Sequence, residues 1–305
     1  MNQWTVSEPD SIVLDEPVQS AQVRMIAGAL NVVAAEGPAR IEVTELKGEP
    51  LQVSLVDGVL TVTYQHLSWN DFGFGGQLKT MDAIKDGFKD LVSSLKRKRK
   101  SRAVVTLTLP ADAVVKLGSV SADTTVSGLQ TDTAVYAITG ATTLVGLGGK
   151  TEANSVSGDV DAQSVGGELK LKTVNGDLTV VAGTATTVRA NTVSGVVTLD
   201  LTGAAPADVR ANTVSGDVAI RLPRPADTKV EAGSTTGKFS TAFEELKLGG
   251  TWGGQRLTGV LGAGSGSLEV TTVSGSVSVL ARPEDDTPSL VKELTDGSDG
   301  TEDTA

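Results

Sequence analysis

The chain has 305 residues, 35 of them glycine and none cysteine, with aromatic residues at 3% and a formal net charge of −11. Without cysteine there is no disulfide, no thiolate metal site and no cysteine nucleophile. Many glycines, few aromatics and recurring valine, threonine and leucine fit short strands joined by tight turns, and point away from globin-like or coiled-coil designs.

The opening MNQWTVSEPD carries neither a basic n-region nor an apolar h-region, and no stretch reaches the roughly 18 apolar residues that span a bilayer. A cytoplasmic location is expected, with the inner membrane surface as a place for peripheral contact. Residues 1–65 read as N-terminal strands, the first rungs or the cap of a repeat body. Both VRMIAGALNVV (23–33) and LQVSLVDGVLTVTY (51–64) run apolar strand, small glycine turn, apolar strand.

Residues 66–102 break this grammar. The segment LSWNDFGFGGQLKT (67–80) precedes a predicted amphipathic helix with Ile84, Phe88, Leu91, Val92 and Leu95 on one stripe, and it ends in KRKRKSR (96–102). Residues 77–102 hold nine Lys or Arg against Asp82, Asp86 and Asp90, a net of +6 in an acidic protein. Trp69, Phe72, Phe74, Phe88, Lys96, Arg97, Lys98, Arg99 and Lys100 are therefore candidates for contact with an anionic membrane surface or a partner. The plainer reading is a cap whose stripe packs on the body and whose basic end favours the helix macrodipole.

From residue 103 to 281 one unit recurs. VRANTVSGVVTLDL (188–201), VRANTVSGDVAIRL (209–222) and VEAGSTTGKFS (230–240) follow one another at intervals of 21 residues. The turn glycine marks the register at Gly140, Gly158, Gly176, Gly195, Gly216, Gly237 and Gly275, and the interval from Gly237 to Gly275 is 38, twice 19. Three nonamers, EANSVSGDV, DAQSVGGEL and KLKTVNGDL (152–178), show a half-period, so each rung should hold two strands and two turns. Val209, Ala211 and Thr213 alternate before the turn and Val218, Ile220 and Leu222 after it, which puts one face inward. The SGD, NGD and GGE triplets supply a glycine able to take positive φ beside a small polar residue able to bond the turn backbone. Such triplets also start two-residue hairpins, and regularity over nine rungs is what favours a solenoid. Proline marks the opposite turn in LPADAVV (109–115), LTGAAPADV (201–209) and LPRPADTKV (222–230). Residues 282–305, with eight acids against Arg282 and Lys292, read as a disordered acidic tail beyond the last rung, placed where it could block end-to-end stacking.

Motifs for chemistry are sparse. His66 is the only histidine, and neither a nucleophile elbow nor a phosphate-loop spacing occurs. Asp159, Asp177 and Asp217 recur at one turn position and are the candidates for paired carboxylates, but Val196, Lys238 and Ser276 fill the same position elsewhere, which suits turn chemistry better. The tail motif TDGSDGTED lacks the glutamate that closes a calcium loop.

With TVSGDV, SVSGDV, TVNGDLTV and TVSGSVSV in register, and VTLTLPADAVV (105–115) as an approach strand, residues 20–280 resemble a bacterial β-strand-repeat family named for adhesins and of unknown function. The resemblance implies a right-handed β-solenoid-like fold and brings no catalytic residues.

The expectation is an all-β solenoid of about 18–21-residue rungs with one amphipathic helical insertion: a non-enzymatic scaffold presenting an extended β surface to a protein partner or to itself. Alternatives are a peripheral protein binding anionic lipid through residues 69–102, an exported adhesin, or a carbohydrate-active solenoid. No cofactor, metal, nucleic acid or small-molecule substrate is expected.

Overall fold

Between residues 209 and 222 the side chains of Val209, Ala211, Thr213, Val218, Ile220 and Leu222 are buried, and the intervening strand residues face outward. That period of two recurs in every rung. The computed structural model describes residues 2–69, 101–203, 207–251 and 254–283. Among the described residues twenty-four strands, continuous through hydrogen bonding, fold into two layers packed on one core.

The body is a stack of nine rungs. The first two are long strands, β3 (Ser20–Ala34) and β8 (Val114–Ser127), which pass through both layers and pair in parallel along their length. Each later rung breaks into one strand per layer. In chain order these are β9 (Thr133–Thr139) with β10 (Thr142–Val145), β11 (Lys150–Ser157) with β12 (Val160–Gln163), and β13 (Glu168–Lys172) with β14 (Leu178–Gly183). They continue as β15 (Thr187–Asn191) with β16 (Val197–Leu201), β17 (Asp208–Asn212) with β18 (Val218–Leu222), β19 (Thr228–Ser234) with β20 (Phe239–Thr241), and β23 (Gly266–Thr272) with β24 (Val277–Ala281). The first strands make layer I and the second strands layer II.

Antiparallel strands close the ends. At the N-terminal end β6 (Val59–Tyr64), β5 (Leu51–Val56) and β1 (Asn2–Val6) extend layer I, and β7 (Arg102–Leu109), β4 (Arg40–Lys47) and β2 (Asp10–Val13) extend layer II. At the other end β22 (Gly254–Leu261) and β21 (Lys247–Thr251) extend layer I from β19. Inside, in-register rows run down the stack, such as Val23, Leu117, Val135, Ala153, Leu171, Ala190, Ala211, Val270 and Ala232. Each buried aliphatic side chain adds roughly 1.5–3 kcal/mol, but only against the rungs on either side.

Three expectations need correction. First, chain order is not spatial order at the C-terminal end. Strands β23 and β24 lie between β17–β18 and β19–β20, pairing in parallel with both, so the last rung in sequence is the eighth in space. The 38-residue interval therefore marks an insertion, and the segment after Arg282 leaves from beside an interior rung. Second, residues 51–64 are a hairpin turning at Asp57 and Gly58, both with positive φ, where a rung was expected. Third, the glycine column is fixed by crowding more than by positive φ, which only Gly140 and Gly195 adopt. A Cβ at Gly158, Gly176, Gly195, Gly216, Gly275 or Gly237 would overlap the carbonyl oxygen of the glycine in the rung below, because rungs stack about 4.8 Å apart. No α-helix occurs among the described residues; the helix expected near residues 84–95 lies outside them.

Candidate interaction surface

The stack carries three long surfaces, each written by one repeated position. At the corner between layers, the residue two before the turn glycine forms a ridge of Val156, Val174, Val193, Val214 and Val273. The last two are 45% and 49% exposed. Backbone bonds tie successive ridge residues together, Asn175 donating to Val156, Ser194 to Val174, Ser215 to Val193 and Ser274 to Val214.

The residue after the glycine caps the corner. Asp159 Oδ1 accepts the backbone N–H of Asp177 at 2.8 Å, Asp177 Oδ1 that of Val196 at 2.8 Å, and Asp217 Oδ1 that of Ser276 at 2.7 Å. These carboxylates bond the neighbouring rung rather than their own turn. Three residues before the glycine, Thr173, Thr192 and Thr272 direct hydroxyls to the carbonyls of Gly158, Gly176 and Gly216, at 3.4–3.5 Å.

The outer face of layer I is charged and paired. Lys116, Glu152, Lys170, Arg189, Arg210, Glu269 and Glu231 lie along one register row. Lys170 Nζ meets Glu152 at 3.2 Å, Arg189 meets Asp208 at 2.8 Å, and Arg210 meets Glu269 at 2.6 Å. Burial works to raise the Glu152 carboxyl, but hydrogen bonds from Asn154 and Lys170 and the charges of Lys170 and Lys172 hold it below its ordinary value. Asp208 is held low by a hydrogen bond from Ser267 and by Arg189 and Arg210, against a desolvation that raises it.

The start of the 66–102 segment docks at one end of this face. Trp69 Nε1 donates to Gln22 Oε1 at 3.1 Å, its ring meets Tyr136 edge-on at 6.3 Å, and the Lys116 ammonium sits 4.2 Å from the ring centroid. Arg24 approaches the same ring at 5.3 Å. Leu67 beside it is buried, while His66 is exposed. Of the sequence-derived contact residues the structure thus places Trp69; Phe72, Phe74, Phe88 and Lys96 to Lys100 lie outside the described residues. All seven turn glycines fall in one column.

The outer face of layer II differs. Its central register row is Thr106, Asn31, Thr125, Thr143, Asp161, Thr179, Thr198, Ala219, Ser278 and Ser240, with Asp161 its single charge across ten strands. Beside it lie Val33 and Val181, 39% and 44% exposed. From Thr125 onward this row is the third residue after each corner position, a signal present in the sequence and not drawn from it. Where the layer meets the second turn, Asp200 is 7% exposed and takes a two-pronged bond from Arg221, at 2.9 and 2.6 Å, with Arg282 at 3.5 Å. The Arg221 hydrogen bond holds its carboxyl below the ordinary value despite burial, helped by the charges of Arg221 and Arg282 and the Ala182 backbone N–H.

Every carboxylate with a displaced pKa among the described residues is displaced downward: Glu45, Glu152, Asp200, Asp208 and Asp227. Ion pairing and capping do this, whereas a general acid needs a raised value. Among the described residues no group of His, Asp and Glu gathers to hold a metal ion.

A family model matches residues 57–280, nearly the whole stack. The chain belongs to the Toastrack DUF4097 family. Among curated proteins none matches. A solved structure of a "putative cell adhesion protein" from Clostridium sporogenes ATCC 15579 is 11% identical, covering 90% of this chain and 100% of that one at a TM-score of 0.26. A "putative lipid binding protein" from Parabacteroides distasonis ATCC 8503 is 10% identical, covering 90% and 97% at a TM-score of 0.31. Both likenesses are too distant to transfer a role to this Toastrack chain.

Proposed function

We propose that this Toastrack protein is a non-enzymatic scaffold that presents the outer face of layer II to a protein partner. One observation carries the reading: the same rungs satisfy their charges on layer I and leave layer II with a row of hydroxyls and small side chains, flanked by exposed valines. A regular β face whose central row carries Asp161 as its single charge is, on an acidic protein, the surface with least electrostatic cost to cover. The carbohydrate-active reading is less favoured, because Asp159, Asp177 and Asp217 are each engaged as a cap on the next rung. The test is a photo-crosslinking amino acid placed at Thr143, Thr179 or Thr198, and separately at Lys172 or Arg210, in the native cell. Adducts to one reproducible protein from the layer II positions alone are expected. Adducts from layer I only, or from neither face, would contradict the reading.

A second reading, contact with an anionic membrane surface through residues 69–102 of a cytoplasmic protein, has one observation in its favour. Trp69, the first residue of that stretch, sits beside Arg24 and Lys116, two cations of the body. Trp69 itself is engaged by the protein, so the other aromatics and the basic run would make the contact. Co-sedimentation with anionic vesicles across a salt series tests it: binding should fall with salt and disappear when Lys96, Arg97, Lys98, Arg99 and Lys100 are all changed to Gln.

A further inference from the structure

The eighth rung in space is the one nearest the chain's C-terminal end, and four relationships set it apart. It is gripped on both sides, β23 by β17 and β19, and β24 by β18 and β20. Its inward residues, Leu268, Val270, Val277 and Val279, are buried between equivalent rows of the rungs it separates. Its corner, TVSG at 272–275, repeats TVSG at 192–195 and 213–216, so the slot is written in the common grammar of the stack. It is joined to the preceding strand only by residues 262–265, in which Gly262 and Gly264 have φ of 60° and 73°.

That tether crosses the end of β19, from β22 on one side to β23 on the other. It is held there by Asp227, whose Oδ1 accepts the Ser265 N–H at 3.0 Å and whose carbonyl accepts that of Gly266 at 3.1 Å. Apart from these bonds the rung is held by its ladders with β17, β19, β18 and β20, so every register partner it has lies in the two rungs beside it.

We propose that the rung 266–281 is exchangeable, and that a second copy of this chain donates its own rung into the slot to give a reciprocal dimer. The occupant is fixed by the contacts themselves, because another copy brings the identical segment and restores each register pair, leaving only the tether changed. The proposal is independent of what binds layer II.

The chain has no cysteine, so introduced thiols report cleanly. Asn212 and Thr271 are register partners on the outer face of β17 and β23. Full-length Asn212→Cys, carrying a mass label, is mixed with unlabelled Thr271→Cys, incubated at high protein concentration and oxidised. Exchange predicts a labelled–unlabelled crosslinked dimer whose yield rises with concentration and incubation time. The comparison pair is Lys172→Cys with Asn191→Cys, register partners on interior rungs of the same face, which report collision alone. A yield no higher than that of the comparison pair overturns the proposal.

Discussion

Ser276 donates its backbone N–H to Asp217 Oδ1 at 2.7 Å across a separation of fifty-nine residues. Lys238, which occupies the same corner position only twenty-one residues after Asp217, lies one rung further away and accepts the Val277 N–H. The corner cap thus joins the final rung to the one it slots against, as Asp159 and Asp177 join theirs.

The glycine column sets the rung spacing. Gly216→Ala brings a Cβ against the Gly195 carbonyl, backbone that cannot move without parting two rungs. We expect a loss of about 3 kcal/mol in denaturant unfolding, the upper range of ordinary substitutions. Gly233→Ala, at a site open to at least 4 Å, should leave stability within about 0.5 kcal/mol.

Thr151 is fully buried, and its hydroxyl has no hydrogen-bond partner. It sits in an inner row between Thr133 and Leu169. Thr151→Val keeps the shape and removes the unmet donor, so it should stabilise the fold by about 1 kcal/mol, read as a rise in the denaturant midpoint.

Asp200 gives the stack an acid-sensitive tie. Its carboxyl is held below its ordinary value by the Arg221 hydrogen bond first, then by the charges of Arg221 and Arg282. A lowered folded value means stability that is fully present above the unfolded value and is lost as pH falls through the folded one. Asp200→Asn should therefore be less stable than the parent at pH 7, and the gap should close as the pH falls below the ordinary aspartate range and the Asp200 carboxyl protonates. A constant gap across that range would contradict the assignment.

Trp69 closes one end of the charged face. Trp69→Ala removes the bond to Gln22, the edge contact with Tyr136 and the cation contact with Lys116. A loss of about 2 kcal/mol is expected by denaturant unfolding.

Much of the body was legible because inward and outward residues alternate: Val209, Ala211, Val218 and Ile220 are read inward from sequence and are buried. The corner glycines were legible too, although the pressure on them is the neighbouring carbonyl, a contact between rungs that no local pattern records. The hairpin at Asp57 and Gly58 and the solenoid corners share one turn chemistry, so only pairing direction separates them. The insertion of β23–β24 was invisible for a similar reason. All rungs carry interchangeable edges, and the sequence contains no term for which edge meets which. The Trp69 contact was hidden because Gln22, Lys116 and Tyr136 come from three separate strands.

The order of the last rungs is the claim on which the caps, the tether and the exchange all depend. Ala219, Ser278 and Ser240 lie in one outward row on β18, β24 and β20, in that order. Adjacent strands place Cα atoms about 5 Å apart, within reach of a disulfide, while strands two apart exceed 7 Å and are out of reach. At a dilution where the protein is monomeric, Ala219→Cys/Ser278→Cys should oxidise to an intramolecular disulfide and Ala219→Cys/Ser240→Cys should not. The reverse outcome would show the rungs stacked in chain order and contradict the account.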